Sequence, residues 1–135
     1  MKIGLLVSIA LFVLACALPA LEFWHSQGPH TTMWGAQVLA VGWSGFFAGV
    51  LGWFANPFWL AGLIFGFFRK PIPTAAMGVV AIAIACTTFG VVGRELPGDE
   101  GDVTKQAIVR LLPGYYAWLA SMAALPVSSI FAWLK

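Results

Sequence analysis

Apolar residues along this chain come in long blocks rather than stripes. Residues 3–18, 33–68, 74–92 and 115–134 contain no Asp, Glu, Lys, Arg or His, and the charged residues gather in the gaps between them. Such blocks suit a lipid bilayer, whose ~30 Å hydrocarbon core is spanned by ~20 apolar residues. The block at 33–68 is too long for one crossing, since as a single helix it would measure about 54 Å at ~1.5 Å per residue. It has to break, and Asn56-Pro57 is the expected place. Asn caps helix starts, Pro is tolerated at the first helical position, and the residue before Pro is pushed out of the α region.

The pattern predicts helices over about 3–21, 33–52, 57–69, 74–92 and 114–134, the third short enough to be a half-span. An interfacial helix over about 103–112 is expected before the last span, with Val103, Ala107, Ile108, Leu111 and Leu112 near one face. The predicted fold class is all-α: a single-domain integral membrane bundle of four to five transmembrane helices. The first run, closed by Pro19, reads as a retained signal-anchor.

Within the central block Gly35, Gly42, Gly45, Gly49 and Gly52 recur at offsets of seven, three, four and three, which on one helix makes a seam. A seam without side chains lets another backbone come close, and Gly45-Phe46-Phe47-Ala48-Gly49 is itself a GxxxG. These five are the candidate helix-packing residues. Gly78, Ala81, Ala85 and Thr88 repeat the three, four, three spacing, so the two faces are expected to meet, although an alanine-rich segment produces such a stripe readily.

Composition agrees with the pattern. The chain is 61% hydrophobic and 9% charged, against ~25% charged in soluble domains. A net charge of +2, with no basic cluster beyond Arg69-Lys70, gives no reason to expect nucleic acid as a partner. Cys16 and Cys86 lie inside apolar runs and read as small hydrophobes. Residues 21–32, LEFWHSQGPHTT, read as a solvated loop turned by Gly28-Pro29, with Trp24 and Trp34 as interfacial anchors. Four spans put Lys2, Arg69, Lys70 and Lys135 on one side and Arg94, Lys105 and Arg110 on the other. Five spans also divide these cations four against three, so the positive-inside rule leaves the number of crossings open.

Candidate chemistry is sparse. Proton relays and ion-coupled transporters need ionisable groups inside the membrane, and the apolar blocks hold none. Neither a nucleophile elbow, nor a Walker sequence, nor HExxH occurs, so the expectation is a non-enzyme without catalytic residues, cofactor or metal. The charged stretch 93–105 supplies a candidate polar loop in Glu95, Asp99 and Glu100, whose spacing matches no EF-hand. Joined by His25 and His30, it leaves open a metal or catalytic site built from residues 22–32 and 94–102, provided both stretches share a side.

Several short motifs carry a resemblance. Leu18-Pro19-Ala20, Gly42-Trp43 followed by Ala55-Asn56-Pro57, Arg94-Glu95-Leu96-Pro97 with Glu100-Gly101, and Gly114-Tyr115-Tyr116-Ala117-Trp118-Leu119-Ala120-Ser121 resemble a family of small uncharacterised bacterial inner-membrane proteins. The resemblance implies a bacterial inner membrane and no activity, substrate or cofactor. It directs attention to Asn56-Pro57, residues 95–101 and residues 114–118. The reading that results is a non-enzymatic structural or interaction subunit, partnered by the bilayer and by a membrane protein or a second copy. A small channel or transport-associated protein is the alternative beside the metal-site reading.

Overall fold

The computed structural model describes residues 1–97 and 104–135. In chain order its elements are α1 (Lys2–Ala17), β1 (Pro19–His25), β2 (Gly28–Trp34), α2 (Gly35–Val41), α3 (Ala55–Phe67), α4 (Pro71–Cys86), β3 (Leu96–Pro97), β4 (Lys105–Leu111) and α5 (Pro113–Trp133), with 3-10 segments at Gly42–Ala48, Gly52–Phe54 and Thr87–Val91. The architecture is mixed α/β, and the all-α expectation is wrong. A four-stranded antiparallel sheet of order β2-β1-β4-β3 stands where a loop and an interfacial helix were expected.

The sheet forms for local reasons. Pro19 cannot continue α1 and holds Leu18 extended (φ −106°, ψ 153°), so the chain leaves the helix as a strand. The next residues alternate, and Ser26-Gln27, not Gly28-Pro29, makes the hairpin turn between paired His25 and Gly28. Pro29 is accommodated because β2 is an edge strand. The segment expected as a helix at 103–112 is strand β4 from Lys105 to Leu111. Its apolar residues fit a helical period, but Ile108-Val109 is β-branched and the free edge of β1 offers backbone partners, so the pairing decides.

The central block departs from expectation as well. No continuous helix runs over 33–52: α2 lasts seven residues, a 3-10 segment follows, and Gly49 at φ 78° ends it. Glycine in a helix costs about 1 kcal/mol relative to alanine, and five in this stretch leave little to hold a long helix together. Asn56 and Pro57 are the second and third residues of α3, inside its first turn, where a missing N–H is harmless.

Cross-helix contacts fix the direction of the four long helices. Ser8 bonds Ser121, and an added Cβ on Gly4 would meet Ser128, so α1 and α5 run antiparallel. Trp59 bonds Ser8 while Gly66 abuts Leu5, so α3 opposes α1. Tyr115 reaches Ala85 and Gly78 faces Leu125, so α4 opposes α5. Alternation of direction gathers Lys2, Arg69, Lys70 and Lys135 at one end of the bundle and the sheet at the other.

The bundle is apolar outside and partly polar inside. Leu6, Ile64, Val79 and Ile130, one on each long helix, are 62%, 48%, 56% and 58% exposed. Ser8, Thr74, Thr88, Ser121, Ser128 and Ser129 are buried. The buried hydroxyls are satisfied: Ser128 and Ser129 donate to Leu125 O at 2.8 and 3.0 Å, and Ser121 to Trp118 O at 2.5 Å. Packing between helices centres on Leu5, Trp59, Leu63, Met122 and Leu125, with Phe12 stacked on Trp59 at 3.9 Å. The expected four to five transmembrane helices are not found: among the described residues two helical runs of 21 residues, Pro71–Val91 and Pro113–Trp133, are long and apolar enough to cross a membrane by length and composition, whereas α1 has 16 residues and α3 has 13.

Candidate functional site: an apolar cavity beneath the sheet

The period-two alternation of β1 gives the sheet two unlike faces. Leu21 lies opposite Met33, Phe23 opposite Ile108, and Leu96 opposite Gln106, and all six line one cavity of about 290 Å³. On the other face Glu22 lies opposite Thr32 and Arg110. Arg110 Nη2 sits 2.9 Å from Glu22 Oε2, and His30 Nδ1 lies 3.5 Å from Glu22 Oε1. The sheet is thus a lid, greasy beneath and charged above.

Helices close the remaining walls. Phe12, Ala15 and Cys16 come from the end of α1, Val38 from α2, and Tyr115 and Trp118 from the start of α5. Trp118 Nε1 donates to Asn56 Oδ1 at 2.8 Å, which joins the first turn of α3 to α5 at the cavity wall. Most other lining polar groups are occupied by the backbone. Tyr115 Oη donates to Ala85 O at 2.8 Å, Trp53 Nε1 to Leu39 O at 2.9 Å, and Ser44 Oγ to Val41 O at 2.7 Å. Chemically the lining suits an apolar group, and among the described residues that line it none is a His, Asp, Glu or Lys that could serve as a base.

The five seam glycines do not share a helix face. Gly35 faces the backbone of Ala15 and Cys16 in α1, and Gly52 lies under the Thr88 hydroxyl. Gly42 faces the Trp53 ring, Gly45 faces Val50, and Gly49 takes the left-handed turn. Four of them, Gly35, Gly42, Gly45 and Gly52, border the cavity. Of the small-residue stripe, Thr88 and the carbonyl of Ala85 meet one seam glycine, Gly52, while Gly78 makes room for Leu125 and Pro126 of α5.

The polar-loop candidates divide. Glu95 is exposed, whereas Asp99 and Glu100 lie outside the described residues. Glu22 and His30 stand together on the outer face of the sheet, and His25 Nε2 pairs instead with Thr31 Oγ1 at 2.7 Å. Among the described residues no three His, Cys, Asp or Glu converge on a point. Asn56 and, of residues 114–118, Gly114, Tyr115 and Trp118, singled out separately in the sequence, meet at the cavity. Sequence reasoning missed the lid residues Leu21, Phe23 and Ile108, although the alternation in Leu21-Glu22-Phe23-Trp24 signals them. No protein-family model, curated protein or solved structure matches the chain.

Proposed function

We propose that this is a membrane protein in which the helical runs Pro71–Val91 and Pro113–Trp133 cross the bilayer with α1 and α3 packed beside them and the sheet at one membrane surface, and that it works without catalysis by holding an apolar partner or ligand. The observation that carries the reading is the inverted surface. Only 33% of the apolar window in Pro71–Val91 and 28% of that in Pro113–Trp133 is buried by the protein itself, whereas the core helix of a soluble domain would be mostly covered. Contiguous apolar patches beyond a few hundred Å² mark interaction or membrane surfaces, and here the exposed residues occur on every long helix. Helices of this kind suit lipid because their hydroxyls bond their own carbonyls.

In this reading the end bearing Lys2, Arg69, Lys70 and Lys135, four of the seven Lys and Arg of the chain, faces the cytoplasm, and the sheet faces outward. The family resemblance suggests a bacterial inner membrane as the bilayer. A pore through one copy has little in its favour, because Leu5, Trp59, Leu63, Met122 and Leu125 fill the interior on the cationic side of the cavity.

The test is labelling of single cysteines, in a background lacking Cys16 and Cys86, with a membrane-impermeant thiol reagent. Gln27→Cys in the sheet turn and Arg69→Cys in the α3–α4 link should label from opposite sides of sealed vesicles. Labelling of both from one side, or release of the protein by alkaline carbonate, would end this reading.

A further inference from the structure

Resting on that bilayer reading, we infer that the cavity beneath the sheet is a binding site for one alkyl chain of an amphiphile, whose carbonyl or carboxylate oxygen accepts a hydrogen bond from Nδ2 of Asn56. Size and lining set the class of ligand. At about 290 Å³ the space is near the lower end of the ~300–1,000 Å³ of small-molecule pockets. It is also roughly twice the ~150 Å³ apolar cavity that admits benzene. One chain segment fits; the body of a two-chain lipid does not. Phe12, Phe23, Val38 and Ile108 would surround that chain, and a bilayer supplies such chains at high local concentration.

The polar anchor follows from hydrogen-bond chemistry. Indole Nε1 can only donate, so the Asn56 carboxamide must turn its oxygen to Trp118 and its nitrogen away. Both Nδ2 hydrogens then lack a partner among the described residues, on a side chain that lines the cavity. Gln106 contrasts with it, its Nε2 already donating to Pro97 O at 3.2 Å. Asn56 is only half-buried and Nδ2 is not sealed from water, but a chain filling the cavity would strip that water from it, a cost that an acceptor-bearing ligand avoids. A pure hydrocarbon would leave it unpaired, so the ligand is an amphiphile.

The test uses the full chain in phosphatidylcholine nanodiscs with a photoactivatable diazirine analogue of decanoic acid. Saturable labelling is expected in peptides carrying Val38 or Ile108, displaced by unlabelled decanoate or by decanoyl lysophosphatidylcholine. Displacement by decanoate alone identifies a free fatty acid, and by the lysophospholipid alone a bilayer lipid chain; either result supports the site. Asn56→Asp keeps the acceptor for Trp118 but removes both donors, and should weaken labelling at least tenfold. Val38→Trp, which fills the cavity, should abolish it independently. Labelling confined to outward residues such as Ile64 and Val79 and rising linearly with probe would overturn the site, as would an affinity unchanged in both variants. The bilayer reading would survive that outcome, since it fails separately, by same-side labelling of Gln27→Cys and Arg69→Cys.

Discussion

Replacing Gly52 with alanine tests the packing beneath the cavity at one atom. Gly52 is buried, and its φ lies outside the left-handed region, so the backbone accepts an L side chain. A Cβ built there overlaps Thr88 Oγ1, while Thr88 Cβ at 3.7 Å and Ala85 O at 3.9 Å would be ordinary contacts. Overpacking of this kind costs about 1–3 kcal/mol, and the restriction of the unfolded chain returns about 0.4–1 kcal/mol, so Gly52→Ala should lose about 1–2 kcal/mol. Thr88→Ala removes the obstructing oxygen, together with a buried methyl worth about 0.8 kcal/mol. In that background Gly52→Ala should cost nothing further, giving a coupling of about 1–2 kcal/mol, well above the ~0.5 kcal/mol scatter of independent sites. Thr88→Val keeps two γ atoms and should not rescue. The assay is reversible unfolding of the purified protein in one detergent, with the four variants compared by midpoint and slope. Additive losses, or rescue by valine as good as by alanine, would refute this account of the α4 contact.

Three other outcomes follow from the same geometry. Gly35→Ala should destabilise more than Gly52→Ala and resist second-site rescue, because its Cβ would meet backbone atoms of Ala15 and Cys16 that cannot rotate away; a screen of α1 variants by unfolding checks this. Ser8 accepts from Trp59 Nε1 at 2.9 Å and donates to Ser121 O at 2.6 Å, so Ser8→Ala should cost about 1–2 kcal/mol, with a coupling to Trp59→Phe of about 0.6–1.7 kcal/mol in a double-mutant cycle. Arg69 holds φ 57° at the end of α3, where Lys70 N–H bonds Phe65 O at 3.0 Å; Arg69→Gly should therefore raise stability by about 0.5–1 kcal/mol, read as a higher unfolding midpoint.

The helical legs α1, α3, α4 and α5 were legible because uncharged length is a signal that survives any local packing. The lid was not. Residues 19–25 alternate over too few positions to outweigh the apolar blocks around them, and their partners at 105–111 lie some eighty positions away in the sequence. Local periodicity carries no information about that pairing, and β4 contains residues that satisfy either a helical or a strand period. The glycines at 35–52 misled for a related reason: their spacing matches a helix seam, but their number removes the helix that would display it. Asn56 was visible as a punctuation mark beside Pro57; its bond to Trp118, 62 residues away, belongs to the tertiary fold.

The inverted surface is the claim on which the rest stands, and paramagnetic accessibility tests it directly. Nitroxide labels placed by cysteine substitution at Leu6, Ile64, Val79 and Ile130, with Gln27 as the sheet-side reference, are measured in proteoliposomes against oxygen and a polar nickel chelate. The account predicts that oxygen relaxes all four helix labels strongly while the chelate barely touches them, with the order reversed at Gln27. Chelate access to the helix labels equal to that at Gln27 would contradict it.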